Sequence, residues 1–417
     1  MIDVQDICKK TKQASYDWAG MDNAKKNDIL SEIVKLLSDK DCISSLKEAN
    51  KKDLAIAKEA GRDETFLDRL TLTDARIELM AEGVRQIIAL PDPVGEVVEE
   101  RVLPNGLNLK RVRAPLGVIG IIYEARPNVT VDAAALCLKS GNGVVLRGSR
   151  EALNSNRELY LIMAKAIANK GENSDIIGFI DSPDREAGGI MLHQENYIDV
   201  VIPRGGEGLK KYVLENATMP VIASAGGNCH VYVESSADFD MAINIVVNAK
   251  VQRPHVCNAA EHLIVDKKIA KEFLPRVYDA LKAFKVEVLG DKSACAIIKD
   301  IKEATDENFD TEFLAYKITF AVVDGIKDAV DMINKYSTKH SEAIITKDEA
   351  KAEYFTKYVD AAALYVNAST RFTDGFEFGL GAEMGISTQK LHARGPVALK
   401  ELTSVKYVIH GEGQVRK

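Results

Sequence analysis

The first ninety residues of the chain place apolar side chains at helical spacing. In the stretch ARIELMAEGVRQIIAL (75–90), the apolar residues that share one helical face are Ile77, Met80, Ala81, Val84, Ile87 and Ile88. The pattern then changes, since GEVVEERV and LNLKRVRAPLG read as two β-strands around Pro104-Asn105-Gly106. Asn-Gly is a strong signal for a tight hairpin turn. The sequence therefore predicts a helical N-terminal region followed by a β-hairpin.

From Gly117 onward, short apolar runs alternate with helical segments. The runs that read as buried strands are GVIGIIY, GVVLRG, IIGFI, YIDVVI and MPVIAS, and SREALNSNRELYLIMAKAIANK reads as a helix between two of them. After CHVYVE the alternation resumes with the helix DFDMAINIVVNAKVQ, the strand EHLIVD and the helix KKIAKEFLPRVYDALKAF. This alternation predicts an α/β fold with parallel sheets built from βαβ units, and we expect a domain boundary near Val233.

Composition narrows the class of protein. A chain of 417 residues predicts two or three domains, and 46% hydrophobic with 28% charged residues is ordinary for a globular protein in water. The formal net charge of −7 supplies no basic field, so we expect no nucleic-acid partner. We also expect no signal peptide and no membrane span. The six cysteines show no CxxC spacing, which favours reduced thiols in the cytoplasm.

One cysteine stands where the chain passes from a helix to a strand, in VQRPHVCNAAEHLIVD (251–266). Pro254 ends the helix and restricts Arg253, so Cys257 is expected in a turn just before a buried strand. A thiol there could act as a nucleophile in its thiolate form if a polar or cationic environment lowers its pKa. Cys257 could instead be a small buried apolar side chain without a catalytic role, and this segment alone favours that second interpretation.

Two other kinds of site, a metal site and the active site of a cysteine hydrolase, could be built from the same cysteines and histidines. The potential soft ligands of a metal site are Cys229, His230, His255, Cys257 and His262, but their spacing matches no common zinc pattern. We therefore predict no metal. A cysteine hydrolase would require the fold to bring a histidine to the thiol.

Several long segments, taken together, resemble one known family. They are EARPNVTVDAAALCLKSGNGVVLRGSREALNSN, IPRGGEGLKKYV, GGNCHVYVE, AKVQRPHVCNAAEHLIVD and VNASTRFTDGFEFGLGAEMGISTQKLHARGPVALKELTSVKYV. In this order they resemble the γ-glutamyl phosphate reductase (glutamate-5-semialdehyde dehydrogenase) family of the aldehyde dehydrogenase superfamily. The resemblance spans essentially the whole chain and is densest from Pro115 to Tyr407. It reverses the earlier preference, and Cys257 becomes the expected nucleophile.

The resemblance implies the second step of proline biosynthesis from glutamate, in which NADPH reduces L-glutamate 5-phosphate to L-glutamate 5-semialdehyde and phosphate is released. Cys257 would form a thioester, because a thiolate is both a strong nucleophile and a good leaving group. The oxyanion would need hydrogen-bond donors. The expected donors are the Cys257 N–H and the Asn128 side chain, with Arg126 as the alternative to Asn128.

One segment departs from the hydrolytic members of the superfamily. They carry a glutamate that activates water, and here Ser224 falls at its position in SAGGNCHVYV. The absence of that base suits an enzyme whose acyl acceptor is phosphate. The alternative is that another carboxylate, such as Glu261, replaces it.

The resemblance also implies where NADP would bind. Arg147, Ser149 and Arg150 follow a buried strand, and cationic and hydroxyl donors there suit a 2′-phosphate better than a carboxylate would. Arg150 could instead be a solvated helix residue. The remaining predicted contacts are Pro203, Gly205 and Gly206 in PRGGEG, for the pyrophosphate, and Glu312, for the nicotinamide ribose.

The substrate carries an amino-acid head and an acyl phosphate, so it requires cationic and hydroxyl donors. The predicted contacts are Arg126, Ser369, Thr370, Arg371 and Arg394. Arg394 could instead be structural.

The resulting prediction is an aldehyde dehydrogenase-like α/β protein with two Rossmann-like domains and a protruding β-hairpin. Residues 1–96 and 116–232 would form the NADP-binding domain, and 233–400 the catalytic domain. Residues 97–115 and 401–417 would form an oligomerisation element, so we expect a homo-oligomer. A glutamate 5-kinase is a candidate partner for substrate transfer. The alternatives left open are a hydrolytic NAD(P)-dependent aldehyde dehydrogenase, a cysteine hydrolase that needs no nicotinamide, and a binding protein without turnover.

Overall fold

A computed structural model describes residues 2–224 and 226–416, without the side chain of Thr65. Its α-helices are α1 (Val4–Trp18), α2 (Asn23–Leu37), α3 (Lys40–Glu59), α4 (Glu64–Leu70), α5 (Asp74–Ala89), α6 (Asn128–Lys139), α7 (Leu153–Asn169), α8 (Arg185–Met191), α9 (Glu207–Asn216), α10 (Phe239–Val251), α11 (Lys267–Lys282), α12 (Lys292–Ile297), α13 (Asp306–Phe309), α14 (Ile326–Tyr336) and α15 (Glu349–Tyr358). The first five begin at side chains that cap backbone N–H groups, namely Asp3, Asp22, Asp39, Asp63 and Thr73.

The strands are β1 (Val97–Val102), β2 (Asn108–Pro115), β3 (Val118–Tyr123), β4 (Gly143–Arg147), β5 (Ile177–Phe179), β6 (Val200–Arg204), β7 (Cys229–Val233), β8 (Ala260–Asp266), β9 (Glu287–Gly290), β10 (Lys302–Glu303), β11 (Lys317–Val323), β12 (Ser341–Ile345), β13 (Ala363–Val366), β14 (Ile386–Ser387), β15 (Gly395–Pro396) and β16 (Thr403–His410). The helix predicted from residues 75–90 is confirmed as α5, with Ile88 only half-buried on its apolar face.

Two compact units divide the chain, and the first comprises Met1–Ala223, Gly379–Gly385 and Val397–Lys417, of which Met1 and Lys417 lie outside the described residues. Its parallel sheet has the strand order β5-β4-β3-β6. Strands β3 and β4 are almost entirely buried, as expected of a parallel sheet that helices cover on both faces. Apolar residues of α1 and α8 pack against this sheet in one core.

A separate three-stranded antiparallel sheet, ordered β1-β2-β16, belongs to the same unit. The predicted hairpin is confirmed, and Gly106 adopts a φ of 84° in its turn, a conformation that glycine accepts without steric cost. Strand β16 pairs with β2 from Thr403 to His410. This sheet therefore joins the two segments that were predicted to form one oligomerisation element; their role in oligomerisation stays a prediction.

The second unit comprises Ser224–Phe378 and Ile386–Pro396. Its parallel sheet has the strand order β10-β9-β11-β8-β7-β12-β13. One apolar core lies between this sheet and helices α10 and α11, and another lies on the opposite face with α14 and α15. The segment that follows Cys257 enters this sheet as β8, a central and fully buried strand.

The observed units differ from the predicted domain boundaries in two places. The second unit begins at Ser224 and not near Val233, because β7 pairs with β8 and β12 in the second sheet. Residues 379–385 and 397–400 belong to the first unit. The run MPVIAS forms only a single parallel bridge, Val201 with Val221, since Pro220 interrupts the run and has no N–H to donate.

Among the helices of the described residues, none is long and apolar enough to cross a membrane.

Candidate active site

Cys257 lies in the turn between α10 and β8, with its side chain half-buried. The helix ends at Val251, three residues before Pro254, as the sequence predicts. The thiol of Cys229 donates a hydrogen bond to the Cys257 carbonyl oxygen at 3.2 Å. The turn therefore holds the Cys257 backbone against the neighbouring strand β7 while leaving its side chain partly accessible.

The accessibility of Cys257 separates it from the buried cysteines of the chain. Cys8, Cys137 and Cys229 are fully buried. Burial raises the pKa of Cys8 to about 12 and that of Cys229 well above its ordinary value, so both stay protonated at neutral pH. These three thiols are structural, whereas Cys257 meets the accessibility that a nucleophile requires.

The backbone of Gly227 lies directly against the backbone of Cys257. A Cβ atom at position 227 would overlap the Cys257 carbonyl oxygen and lie 2.8 Å from its Cα. The Gly227 N–H donates to Oε1 of Glu312 at 2.6 Å. A single glycine thus contacts both the predicted nucleophile and the carboxylate predicted to hold the nicotinamide ribose.

The segment Ser369–Phe372 packs beside the nucleophile turn through Asn258. The Thr370 hydroxyl donates to the Asn258 carbonyl at 2.7 Å, and the Arg371 guanidinium donates to the Asn258 side-chain oxygen. Ser369 is buried and its hydroxyl accepts from the Arg371 N–H at 3.3 Å. Arg371 is half-buried, whereas Ser369 and Thr370 are buried and their hydroxyls make hydrogen bonds within the protein. All three stay predictions as substrate contacts, and Arg371 is the most accessible of them.

Arg394 makes a structural ion pair. Its Nη2 donates to Oδ1 of Asp360 at 2.7 Å, and Lys390 and Lys339 approach the same carboxylate at 3.0 and 3.2 Å. The hydrogen bond from Arg394, together with the two lysines, holds the pKa of Asp360 well below its usual range. Of its two predicted roles, the structure favours the structural one over substrate binding.

The histidines considered as metal ligands have other partners. His230 lies 3.0 Å from a carboxylate oxygen of Glu342, and His262 bonds to Asn228 at 2.5 Å and to Thr319. Burial lowers the pKa of His262 well below its ordinary value. His255 contacts the Leu314 carbonyl oxygen through Nδ1. In the described part of the chain, no three His, Cys, Asp or Glu side chains are grouped to hold a metal ion.

In the first unit, Arg147 is the last residue of β4, and Ser149 follows two residues later. The Arg147 guanidinium donates to the Gly148 and Asp184 carbonyls, each at 3.0 Å. Its buried Nε and the buried Ser149 hydroxyl have no hydrogen-bond partner among the described residues. Buried polar groups normally find a partner, so these two atoms fit a bound anionic or hydroxylated group. Arg150 is exposed and lies 3.6 Å from Glu151.

The predicted pyrophosphate loop lies between β6 and α9. Pro203 is buried within β6, and an added Cβ at Gly205 would lie 2.6 Å from Cδ of Glu124. The Gly206 N–H donates to Oε1 of Glu124 at 2.9 Å. A carboxylate already occupies this helix N-terminus, so a phosphate can reach the Gly206 amide only after Glu124 moves away.

Arg126 and Asn128 lie at the start of α6, and both are exposed. The Asn128 amide donates to Oδ2 of Asp132 at 2.9 Å, one helical turn further on. This bond orients the Asn128 side chain and uses one of its two amide N–H donors, which leaves the other for the predicted oxyanion contact.

Comparison with known proteins identifies the family of this chain. The aldehyde dehydrogenase family matches residues 2–298. A curated γ-glutamyl phosphate reductase of Carboxydothermus hydrogenoformans is 53% identical over 416 residues, covering 100% of both chains. The chain belongs to the aldehyde dehydrogenase family. The resemblance stated from the sequence is confirmed, and the protein is an oxidoreductase of that family.

Solved structures of the aldehyde dehydrogenase type share this fold. The crystal structure of γ-glutamyl phosphate reductase from Thermotoga maritima superposes with a TM-score of 0.98 at 44% identity and covers 100% of both chains. An acetylating aldehyde dehydrogenase from Geobacillus thermoglucosidasius covers 99% of this chain at 17% identity, with a TM-score of 0.69. The predicted aldehyde dehydrogenase-like α/β fold is therefore confirmed.

Sequence reasoning missed several residues around Cys257. Gly227 and Asn228 stand in a quoted motif, but their contacts with Glu312 and His262 join residues far apart in the chain. Lys250 had no predicted role, and Glu261 was considered only as a replacement general base, yet the two form a buried ion pair that spans the Cys257 turn. Their spacing of eleven residues across a helix-to-strand junction is the one local signal that could have suggested the pair.

Proposed function

We propose that the protein reduces L-glutamate 5-phosphate to L-glutamate 5-semialdehyde and releases phosphate, with NADPH as the reductant. The observation that carries this proposal is a half-buried Cys257 in a turn whose backbone is packed against Gly227, in a chain 53% identical over its full length to a protein named γ-glutamyl phosphate reductase. The reaction is the step of proline biosynthesis that forms the semialdehyde.

The Cys257 thiolate attacks the acyl carbon and a C–S bond forms as the C–O bond to phosphate breaks. NADPH, when bound, supplies the hydride that reduces the resulting thioester. Collapse of the thiohemiacetal then breaks the C–S bond, releases the aldehyde and returns the Cys257 sulfur to its starting state. The Cys257 N–H and the Asn128 amide are the proposed donors to the oxyanion at each stage.

The cofactor proposal rests on the unpartnered Arg147 Nε and Ser149 hydroxyl, which suit the adenosine ribose and its 2′-phosphate. Arg150 adds positive charge on the exposed side. Glu312, whose carboxylate is fixed by the Gly227 N–H, is the proposed partner of the nicotinamide ribose.

In the reverse, oxidative direction an acyl acceptor cleaves the thioester. The proposal that this acceptor is phosphate, and not water, rests on Ser224 and Glu261. Ser224 stands where hydrolytic relatives carry a general base, and a serine hydroxyl is too weak a base to replace it. Glu261 is fully buried and bound to Lys250 at 2.5 Å, so it does not take over that role.

The proposal also covers the assembly of the protein and the source of its substrate. We infer a homo-oligomer through the sheet β1-β2-β16, on which Val102, Tyr407 and Ile409 are 72%, 60% and 53% exposed. A glutamate 5-kinase remains the proposed source of the substrate, and the cytoplasm the proposed compartment.

Cys257→Ala tests the chemistry. The variant should lose turnover completely while it keeps the wild-type melting temperature and NADP affinity, because only the nucleophile is removed. Ala replacement of Cys295, another half-buried thiol, is the matched control and should leave turnover unchanged. Turnover by Cys257→Ala comparable to that of the control would refute the thioester route.

A further inference from the structure

Lys250 and Glu261 form an ion pair that brackets the nucleophile turn. Lys250 lies in the last turn of α10, and Glu261 is the second residue of β8. Their Nζ and Oε2 atoms are 2.5 Å apart, and neither side chain is exposed to solvent. The pair therefore connects the helix that enters the turn to the strand that leaves it, with Cys257 between them.

The second carboxylate oxygen of Glu261 holds a different loop. Its Oε1 accepts a hydrogen bond from the Leu314 N–H at 3.2 Å. Leu314 has a φ of 50°, a left-handed conformation that is strained for a residue with a side chain. The Leu314 carbonyl oxygen is held from the other side by His255, which precedes Cys257 by two residues. The loop that contains Glu312 and Leu314 is therefore held by His255, which precedes Cys257, and by Glu261, which follows it.

A buried ion pair is a poor way to gain stability. Removing two charges from water costs several kcal/mol per ion, and apolar replacements of similar volume are often neutral or stabilising. Burial raises the pKa of Glu261 to about 7 and lowers that of Lys250, which shows the same cost. Stability alone therefore does not account for this pair. The ion pair lies beside the Cys257 turn and contacts Leu314, so a role in the geometry of the site fits it better.

We propose that Lys250 and Glu261 are a positioning pair that holds the Cys257 turn and the Glu312 loop in one fixed arrangement. The inference rests on the proposed function, since it assigns Glu312 to the cofactor and Cys257 to the acyl group. Neither Lys250 nor Glu261 contacts the reacting atoms in this account. They act through the backbone at Leu314 and through the ends of α10 and β8.

Two double variants separate positioning from stability. K250M/E261M removes both charges and also the acceptor for the Leu314 N–H. K250M/E261Q removes the ion pair but keeps an oxygen for Leu314. The control is K26M/D92L, because Lys26 is also buried and 2.8 Å from Asp92, whose other oxygen accepts from the Val94 N–H.

Four quantities are measured on each protein: the melting temperature, the NADP dissociation constant by calorimetry, the alkylation rate of Cys257 by peptide mass spectrometry, and kcat. We expect K250M/E261M to fold, to bind NADP about 10-fold more weakly and to lose about 10²-fold in kcat, since a misplacement near 1 Å has that effect. The alkylation rate of Cys257 in this variant should differ several-fold from the wild-type rate. K250M/E261Q should retain more NADP affinity, and the control should change only the melting temperature.

Wild-type kcat and NADP affinity in K250M/E261M would overturn the inference and leave the pair a purely structural feature. If K250M/E261M does not fold, K250M/E261Q decides, because wild-type kcat in that variant would overturn the inference equally. Absence of turnover in the wild-type protein would instead refute the proposed function, while NADP binding and Cys257 alkylation would still test the pair.

Discussion

Replacing Gly227 by alanine would place a methyl group against the backbone of Cys257, the proposed nucleophile. The added carbon would lie 2.8 Å from the Cys257 Cα and overlap its carbonyl oxygen. Non-bonded atoms in van der Waals contact are about 3.5–4.0 Å apart, so relieving the overlap with the carbonyl oxygen requires one of the two segments to retreat by roughly 2 Å. The Gly227 N–H that binds Glu312 would shift with it.

The expected cost follows from that displacement. A misplacement of about 1 Å at a reacting group already lowers the rate by about 10²-fold, or about 2.7 kcal/mol in the activation free energy, so the larger displacement here should cost at least that much. Because Glu312 would move as well, NADP affinity should also fall. Overpacking a tightly filled site also costs about 1–3 kcal/mol of folding stability.

The assay compares kcat, NADP affinity and melting temperature in Gly227→Ala and Gly20→Ala. Gly20 has an ordinary φ, and a Cβ there would meet only the Asp17 carbonyl oxygen at 3.7 Å, so this control should match the wild type. A folded Gly227→Ala protein with the kcat and NADP affinity of the control would refute the reasoning, since it would show that the contact with Cys257 does not position the thiol.

Three further predictions address the cofactor, the acyl acceptor and the assembly. Arg150→Ala should weaken NADP binding about tenfold, through loss of a charge-assisted contact, and leave NAD binding unchanged in calorimetry. Ser224→Glu should introduce a water-activating base and allow NADPH formation from the semialdehyde without phosphate, which absorbance at 340 nm measures. Tyr407→Asp combined with Ile409→Asp should reduce the particle mass in light scattering, because charges would enter the proposed interface; an unchanged mass would contradict that interface.

Local patterns predicted most of the fold. The helix α5, the hairpin and the alternation of strands with helices follow from periodicity and turn residues, and these signals lie within about a dozen residues of one another. The boundary near Val233 was misplaced because β7 reads like any other buried strand. Only its pairing with β8 and β12 assigns it to the second sheet, and pairing is a long-range property.

The site was predicted less completely, for the same physical reason. The family resemblance implied that Cys257 is the nucleophile and that Arg147 contacts the cofactor, but neither resemblance nor residue type reveals burial. Thr370 has the hydroxyl that a substrate contact requires, yet it is buried and donates to the Asn258 carbonyl, 112 residues away in sequence. Arg394 pairs with Asp360 across 34 residues, a contact that no local pattern indicates.

The central claim is that Cys257 carries an acyl group whose partner is phosphate. The most direct measurement is NADPH formation in the reverse direction, with purified protein, NADP and glutamate semialdehyde in equilibrium with its cyclised form, with and without inorganic phosphate. The account predicts NADPH only when phosphate is present. An equal rate without phosphate would contradict it, since water would then resolve the thioester and the protein would be a hydrolytic aldehyde dehydrogenase.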